Sequence, residues 1–113
     1  MAGPEQVLQQ AILVKWGKHP RLRLFRRNVG AMRDDSGRLV RFGIPGQSDL
    51  HGWLAPAGRA IELEIKTPSG RVSEPQQNWI DTALEFGVAA AVIRSMSEAD
   101  AFFEELLGEQ SHA

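Results

Sequence analysis

The segment IELEIK (Ile61–Lys66) decides the fold because it alternates apolar and charged residues with a period of two. Such alternation is typical of a β-strand with one buried face. The pattern predicts that the three aliphatic side chains face a core, and that Glu62, Glu64 and Lys66 share the opposite face. Taken alone, that polar face is most simply explained as a solvated surface.

The residues before this strand predict its partner. Residues 50–54 are separated from it by the breaker cluster Ala-Pro-Ala-Gly at 55–58, which indicates a β-hairpin with a four-residue turn. If the first and last residues of the turn are paired, the numbers of opposed residues sum to 113, and Leu50 lies opposite Leu63 on the core side. A shift of one residue would exchange the two faces, so the register is a specific hypothesis.

The same register gives the polar face a chemical meaning, because Asp49 then lies opposite Glu64. Directly opposed residues have Cβ atoms about 4.5–5.5 Å apart, and like charges there are destabilising. A hard cation such as Mg²⁺ would relieve this repulsion and keep waters that a phosphate can replace. Lys66 would orient or help deprotonate an attacking water, or stabilise developing charge. The pattern therefore predicts a divalent metal site.

Asp49 followed by Glu64-Ile65-Lys66 resembles the signature of the PD-(D/E)xK nucleases. The wider pattern resembles the VRR-NUC (virus-type replication-repair nuclease) branch over residues 4–107. It consists of Gly-x-x-Gly-x-Ser-Asp-Leu at 43–50, Lys-Thr-Pro-x-Gly-Arg-x-Ser-x-x-Gln at 66–76, Trp79 and Gly87. The residue before the aspartate is serine instead of proline, which is a departure from the signature.

This resemblance implies a restriction-endonuclease-like α/β fold, with a central mixed β-sheet flanked by helices in one domain over residues 1–113. It implies a metal-dependent DNA endonuclease in which Asp49, Glu64 and the backbone carbonyl of Ile65 hold Mg²⁺ or Mn²⁺. Lys66 would position the water. The catalytic set implied by the resemblance is completed by two further residues, Glu5 at a second metal and Gln76 as an orienting group.

Two of these residues also have purely structural explanations. Glu5 shares the inward stripe of the first predicted helix, where an acid in the first turn is favoured by the helix dipole. Gln76 completes a capping box with Ser73. His51, opposite Glu62 in the same register, is either an acid/base group or a hydrogen-bonding partner at the surface.

Small free-standing members of this family are linked with branched DNA, which implies a dimeric, phage-type resolvase of Holliday junctions in DNA repair. We expect a homodimer, with interface candidates Trp16, Trp53 and the helix carrying Phe102 and Phe103. The alternatives are a catalytically inactive DNA-binding module on the same fold, a nuclease that acts on flaps or nicks duplex DNA, and a structural domain with an incidental acidic face.

The charge distribution favours a nucleic acid partner. The formal net charge is −1, yet residues 15–41 contain nine of the 13 basic residues. A basic segment beside an acidic cleft suits phosphate-backbone binding, although a solvated basic face is the simpler alternative. The candidates for DNA contacts are Arg26, Arg27, Arg33 and Arg41.

The absence of cysteine excludes zinc–thiolate sites, and no apolar run approaches the ~20 residues of a membrane span. We expect a cytoplasmic protein.

The remaining patterns predict the other elements. In chain order they are a helix over 4–16, a strand over 22–28, a polar loop over 30–37, a short strand over 38–42, a helix over 73–86, a buried strand over 88–93 and a last helix capped by Ser95 or Ser97 that frays from 108. In the first helix, an inward-facing stripe at helical spacing is predicted from Leu8, Ala11, Ile12 and Lys15, with Val7 and Val14 beside it. The glycines at 43 and 46 predict a close approach of backbone to metal or DNA.

Overall fold

The structure, a computed structural model, describes residues 3–27 and 30–111. In these ranges the elements follow in the order α1 (Pro4–Trp16), β1 (Leu22–Arg26), β2 (Gly30–Arg33), β3 (Leu39–Phe42), β4 (Leu50–Leu54), β5 (Arg59–Ile65), α2 (Glu74–Glu85), β6 (Ala89–Ile93) and α3 (Met96–Ser111). The predicted α/β class is confirmed.

The central sheet has four strands in the order β1-β4-β5-β6. Strand β4 is antiparallel to both β1 and β5, whereas β6 is parallel to β5, so the sheet is mixed as predicted. A parallel pair needs a crossover connection, which α2 provides. Strands β2 and β3 form a separate antiparallel ribbon.

The predicted hairpin register is confirmed. In the β4–β5 pair, Leu50 lies opposite Leu63 and His51 lies opposite Glu62. The side chains of Ile61, Leu63 and Ile65 are fully buried. They belong to one core cluster that also contains residues of α1 and α3. Helix α2 lies over the other face of the sheet, because its polar side chains hydrogen-bond the glutamates of β5.

Helix α1 has the predicted bounds, but part of its predicted stripe is wrong. Its buried residues are Gln9 and Ile12, whereas Val7 and Val14 are 58% and 48% exposed. Ala11 is also exposed. Residues 5, 9, 12 and 16 recur every three or four positions and therefore form one face of a helix. Packing against the sheet selected this face, which carries fewer aliphatic side chains than the composition suggested.

Three predicted boundaries also change. The predicted loop over 30–37 contains strand β2, which lacks the alternation of a strand and is ordered by pairing with β3. The strand predicted over 22–28 ends at Arg26, and Asn28 lies outside the described residues. Helix α3 continues to Ser111, so the fraying predicted from 108 is wrong within the described part of the chain. The Asp-Asp-Ser-Gly turn is confirmed, since Asp34 accepts hydrogen bonds from the backbone of Ser36 and Arg38.

Of the aromatic residues predicted for a dimer interface, Phe103 is not accessible and Trp16 is half-buried. Phe103 is fully buried, and Trp16 stacks on it with ring centroids 5.1 Å apart. The core packing of α1 against α3 therefore uses both rings. Trp53 is 56% exposed and stays a candidate.

Gly52, in the middle of β4, supplies a stability test. A Cβ at this position would lie 2.0 Å from the carbonyl oxygen of Arg23 on β1. We expect Gly52→Ala to lower the free energy of unfolding by ~3 kcal/mol, the upper part of the range for overpacking. Urea denaturation measures the change. The control is Gly108→Ala on α3, where a Cβ meets nothing within 4 Å and alanine favours the helix. Equal stability of the two variants would contradict the β1–β4 packing.

Candidate active site

The β4–β5 hairpin and the start of α2 meet at the position of Asp49, directly before β4. The Asp49 carboxylate accepts a hydrogen bond of 2.8 Å from the backbone N–H of Ile65. Its backbone carbonyl accepts another, also 2.8 Å, from the N–H of Arg27. Side chain and backbone are thus both fixed, and the carboxylate lies beside that of Glu64.

Glu64 is 2% exposed and incompletely satisfied. Its Oε1 accepts a bond of 3.2 Å from Gln76, but Oε2 accepts none from any residue that the structure describes. Burial, the shared contact with Asp49 and the charge of Asp49 raise the pKa of Glu64 to about 8, against a smaller opposing effect of Lys66. Two neighbouring acceptors can share only a proton or a cation, so this pair is incomplete without one of them.

Gln76 combines the two roles that the sequence left open. Its Oε1 accepts from the backbone N–H of Ser73 at 2.9 Å, and its own backbone N–H donates to the Ser73 hydroxyl at 3.3 Å. Its side-chain amide donates to Glu64. The capping box therefore holds the amide group in the direction of the acidic pair.

Lys66 and Glu5 lie at the border of the acidic pair. Lys66 is half-buried and follows Glu64 on the same face of the chain. Glu5 is half-buried in the first turn of α1, and its charge contributes to the raised pKa of Glu64. Among the described residues, however, no three acid, histidine or cysteine side chains come together as a metal-binding group. The participation of Glu5 at a second metal stays a prediction.

The residues present nevertheless fit a divalent cation. Carboxylate oxygens are the donors that Mg²⁺ and Mn²⁺ prefer. The unsatisfied Oε2 of Glu64 and the adjacent carboxylate of Asp49 would both gain a partner from a positive charge.

A second group of side chains, which the sequence analysis did not predict, surrounds the carboxylate of Glu62, two residues before Glu64 on β5. Glu62 accepts hydrogen bonds from both terminal nitrogens of Arg27, from the hydroxyl of Ser48 at 2.6 Å and from the indole N–H of Trp79 at 2.7 Å. Burial alone would raise the pKa of Glu62, but these hydrogen bonds outweigh it and lower the pKa. A usable signal was that Gln76 and Trp79, three residues apart, share one face of a helix, as Glu62 and Glu64, two residues apart, share one face of a strand.

His51 lies in an environment that disfavours its protonated, positively charged form. Burial and the nearby charge of Arg27 lower its pKa, with Glu62 acting in the opposite direction. Its ring lies 5.5 Å from that of Phe25. It is therefore neutral at pH 7 and packs against an aromatic neighbour.

The four arginines predicted to contact DNA lie in different environments. Arg27 is bound to Glu62, and Arg26 donates to the side chains of Gln9 and Gln10. Arg33 and Arg41 are exposed and lie on the same face of the β2–β3 ribbon. Arg33 also donates to the backbone carbonyl of Gly37 at 2.9 Å. The ribbon therefore carries two exposed candidates for contacts with a partner.

Two loops beside the site, one before Asp49 and one after Lys66, are held by contacts with other parts of the chain. Gly46 has a φ of +90°, and a Cβ there would lie 2.5 Å from the carbonyl oxygen of Pro75. The backbone of this glycine therefore approaches the first turn of α2 closely. Arg94, which the sequence analysis also missed, donates to the carbonyls of Thr67 and Gly70 at 2.7 Å and holds the loop that follows Lys66.

The chain therefore combines a mixed β-sheet flanked by helices with a pair of adjacent carboxylates and a lysine beside them. The VRR-NUC domain family model matches residues 4–97, and the chain belongs to this family. Its fold is accordingly restriction-endonuclease-like, and its function is of the nuclease type. No curated protein and no solved structure matches the chain significantly. Within the described ranges, there is no helix with the length and apolar character needed to cross a membrane.

The raised pKa of Glu64 predicts a pH-dependent stability of the metal-free protein. The folded state holds a proton that the unfolded chain releases near pH 4.5, so stability is lost as the pH rises from about 5 through about 8. Glu64→Gln should remove most of this loss and raise the free energy of unfolding at pH 8.5 by at least ~2 kcal/mol, since one pKa unit corresponds to about 1.4 kcal/mol.

Urea denaturation in a chelator at pH 5.5 and 8.5 measures this dependence. Glu104→Gln, an exposed position on α3, is the control and should retain the wild-type slope. A Glu64→Gln protein with the wild-type pH dependence would show that Glu64 is ionised in the metal-free fold.

Proposed function

We propose that this protein is a metal-dependent DNA endonuclease that hydrolyses phosphodiester bonds. The observation that carries the proposal is the buried Oε2 of Glu64, which lacks a hydrogen bond among the described residues while it lies beside a second carboxylate. A purely structural acidic pair would be satisfied by donors, as Glu62 is on the same strand. Membership of a nuclease family gives this arrangement its chemical meaning.

In this proposal, Asp49, Glu64 and the carbonyl of Ile65 hold Mg²⁺ or Mn²⁺. The cation, when bound, supplies Lewis-acid activation of the phosphodiester. The ammonium of Lys66 orients the attacking water and stabilises the charge that develops on phosphate. Gln76 holds Glu64 in place and orients the nucleophile or substrate, and Glu5 contributes to a second cation.

The first test measures metal binding together with cleavage. We expect Asp49→Ala to lose Mn²⁺ binding in calorimetry and to cut DNA at least ~10³-fold more slowly, because one of two carboxylate ligands is missing. Its stability without metal should equal or exceed that of the wild type, since a like-charge contact is removed. Asp81→Ala, on the exposed side of α2, is the control. Wild-type cleavage by Asp49→Ala would refute the site, and Mn²⁺ binding without any cleavage by the wild type would favour the inactive DNA-binding module.

For the substrate, we propose branched DNA, with a four-way junction as the preferred form, and a homodimer as the active species. One chain offers one acidic pair, whereas resolution of a junction needs two matched cuts. A two-fold dimer supplies two sites with the symmetry of the junction. Of the aromatic residues predicted for such an interface, Trp53 is the most exposed, at 56%, and it packs edge-on against Phe25 with ring centroids 5.2 Å apart.

The second test compares DNA structures at known oligomeric state. We expect light scattering to give twice the chain mass, and we expect four-way DNA to be cut in preference to linear duplex, flap and single-stranded DNA. Trp53→Ser should shift the protein toward the monomer and reduce paired cutting, because it removes a large apolar side chain from the proposed interface. A dimer interface of this kind buries ~1,200 Å² or more. A protein that stays monomeric on DNA would instead support a nicking or flap-directed nuclease.

The third test concerns the DNA contacts of the β2–β3 ribbon. Replacing Arg33 and Arg41 by glutamine should weaken binding to all DNA structures together and reduce the slope of log affinity against log salt by ~1 per contact. The matched control is Arg59→Gln, at the turn end of the β4–β5 hairpin, where Arg59 pairs with Glu109 at 3.4 Å. Fluorescence anisotropy from 50 to 200 mM salt measures both effects. An unchanged slope in the double variant would exclude the ribbon as a phosphate-binding surface.

A further inference from the structure

The Glu62 cluster, formed by Glu62, Arg27, Ser48 and Trp79, connects four separate segments of the chain. We propose that Glu62 is a positioning residue of the nuclease reaction, which holds the segments carrying Asp49 and Gln76 without touching the substrate. This inference rests on the proposed function for its catalytic consequence, but its structural part is testable independently.

The Glu62 cluster holds the segment that carries Asp49. Arg27 donates its backbone N–H to the Asp49 carbonyl, and its guanidinium donates to both oxygens of Glu62, the longer bond being 3.0 Å. Ser48, the residue directly before Asp49, is 1% exposed and donates its hydroxyl to Glu62 at 2.6 Å. The residue that precedes Asp49 and the residue that binds its carbonyl are therefore both attached to one carboxylate.

The Glu62 cluster also holds the helix that carries Gln76. Trp79 follows Gln76 by three residues and lies on the same side of α2, one turn further along. Its indole N–H donates to Glu62 at 2.7 Å, while the Gln76 amide donates to Glu64 at 3.2 Å. Two glutamates on one strand thus bind two residues on one helix. The contact with Glu62 fixes the rotation of α2 and hence the approach of Gln76 to the acidic pair.

A carboxylate is specifically required at position 62. Its Oε1 accepts from three donors, and its Oε2 accepts from Arg27. Glutamine offers one acceptor oxygen and turns an NH₂ group toward the guanidinium. The side chains of Glu62 and Arg27 are only 13% and 16% exposed, so water cannot fully replace a lost bond. Loss of the charge should therefore displace the neighbours of Glu62.

The experiment uses two variants of the cluster and one matched control in the full chain. Glu62→Gln removes the charge, and Trp79→Phe removes a single N–H donor while retaining an aromatic ring. The control is Asp100→Asn, because Asp100 also binds a cation and an indole, namely Lys15 at 2.9 Å and Trp16 at 2.8 Å, but on the α1–α3 side of the sheet.

The first measurement is amide hydrogen exchange at Ile65, whose N–H donates to the Asp49 carboxylate. The rate is expressed relative to the amide of Leu63 on the same strand, which corrects for a change in global stability. We expect this ratio to rise about 10-fold in Glu62→Gln and less in Trp79→Phe. Asp100→Asn should leave it unchanged even if that variant unfolds more easily.

The second measurement is Mn²⁺ affinity by calorimetry together with kcat and KM on four-way DNA. Loss of a residue that orients metal ligands typically costs 10–100-fold in affinity or activity. We expect Glu62→Gln to lose ~10–100-fold in Mn²⁺ affinity and kcat, with KM within about twofold because no DNA contact is removed. A residue that only stabilised the fold would leave kcat of the folded fraction unchanged.

The outcomes separate this inference from the proposed function. A wild type that neither binds Mn²⁺ nor cuts DNA refutes the proposed function, while the exchange ratio at Ile65 still decides whether Glu62 positions Asp49. A folded Glu62→Gln protein with wild-type exchange ratio, Mn²⁺ affinity and kcat overturns the inference. If Glu62→Gln does not fold, Trp79→Phe decides the question by the same three quantities.

Discussion

The pairing of β4 with β5 is the constraint on which the rest of this structure depends. Because side chains alternate between the faces of a strand, one register places the aliphatic residues of both strands in the core and fixes which polar residues meet on the other side. Asp49 reaches the backbone of Ile65, and hence the side of Glu64, only in this register. The hydrophobic core therefore enforces an acidic contact that electrostatics alone would oppose.

The two glutamates of β5 show how one strand face is divided into a satisfied site and an unsatisfied one. Glu62 receives four hydrogen bonds and its pKa is lowered, whereas Glu64 receives one among the described residues and its pKa is raised to about 8. Environments that separate the pKa values of neighbouring acids are characteristic of functional sites. In this VRR-NUC domain, the division follows from where Arg27 and Trp79 place their donors.

The separation of functions that we propose for this chain follows the same logic. Residues of the central sheet and α2 are tied together by hydrogen bonds around the acidic pair. Among the described strands, β2 and β3 pair with each other alone, and their ribbon exposes Arg33 and Arg41. Precise geometry is needed where charge must be stabilised in a transition state, and less so where a flexible polyanion is bound. The exposed ribbon and the rigid site are consistent with these two requirements of a nuclease.

The sequence by itself determined the hairpin, its register, the buried face of β5, the bounds of α1 and the capping of α2 at Ser73. These features depend on periodicity, turn residues and neighbours within a few positions, which a sequence displays directly. Only the tertiary structure decided which face of α1 is buried, that residues 30–33 pair as a strand and that Trp16 and Phe103 pack in the core. The register already singled out Glu64 as the partner of Asp49, but only the tertiary structure showed that Glu62 is satisfied by Arg27, Ser48 and Trp79, because these partners come from segments up to 35 residues away.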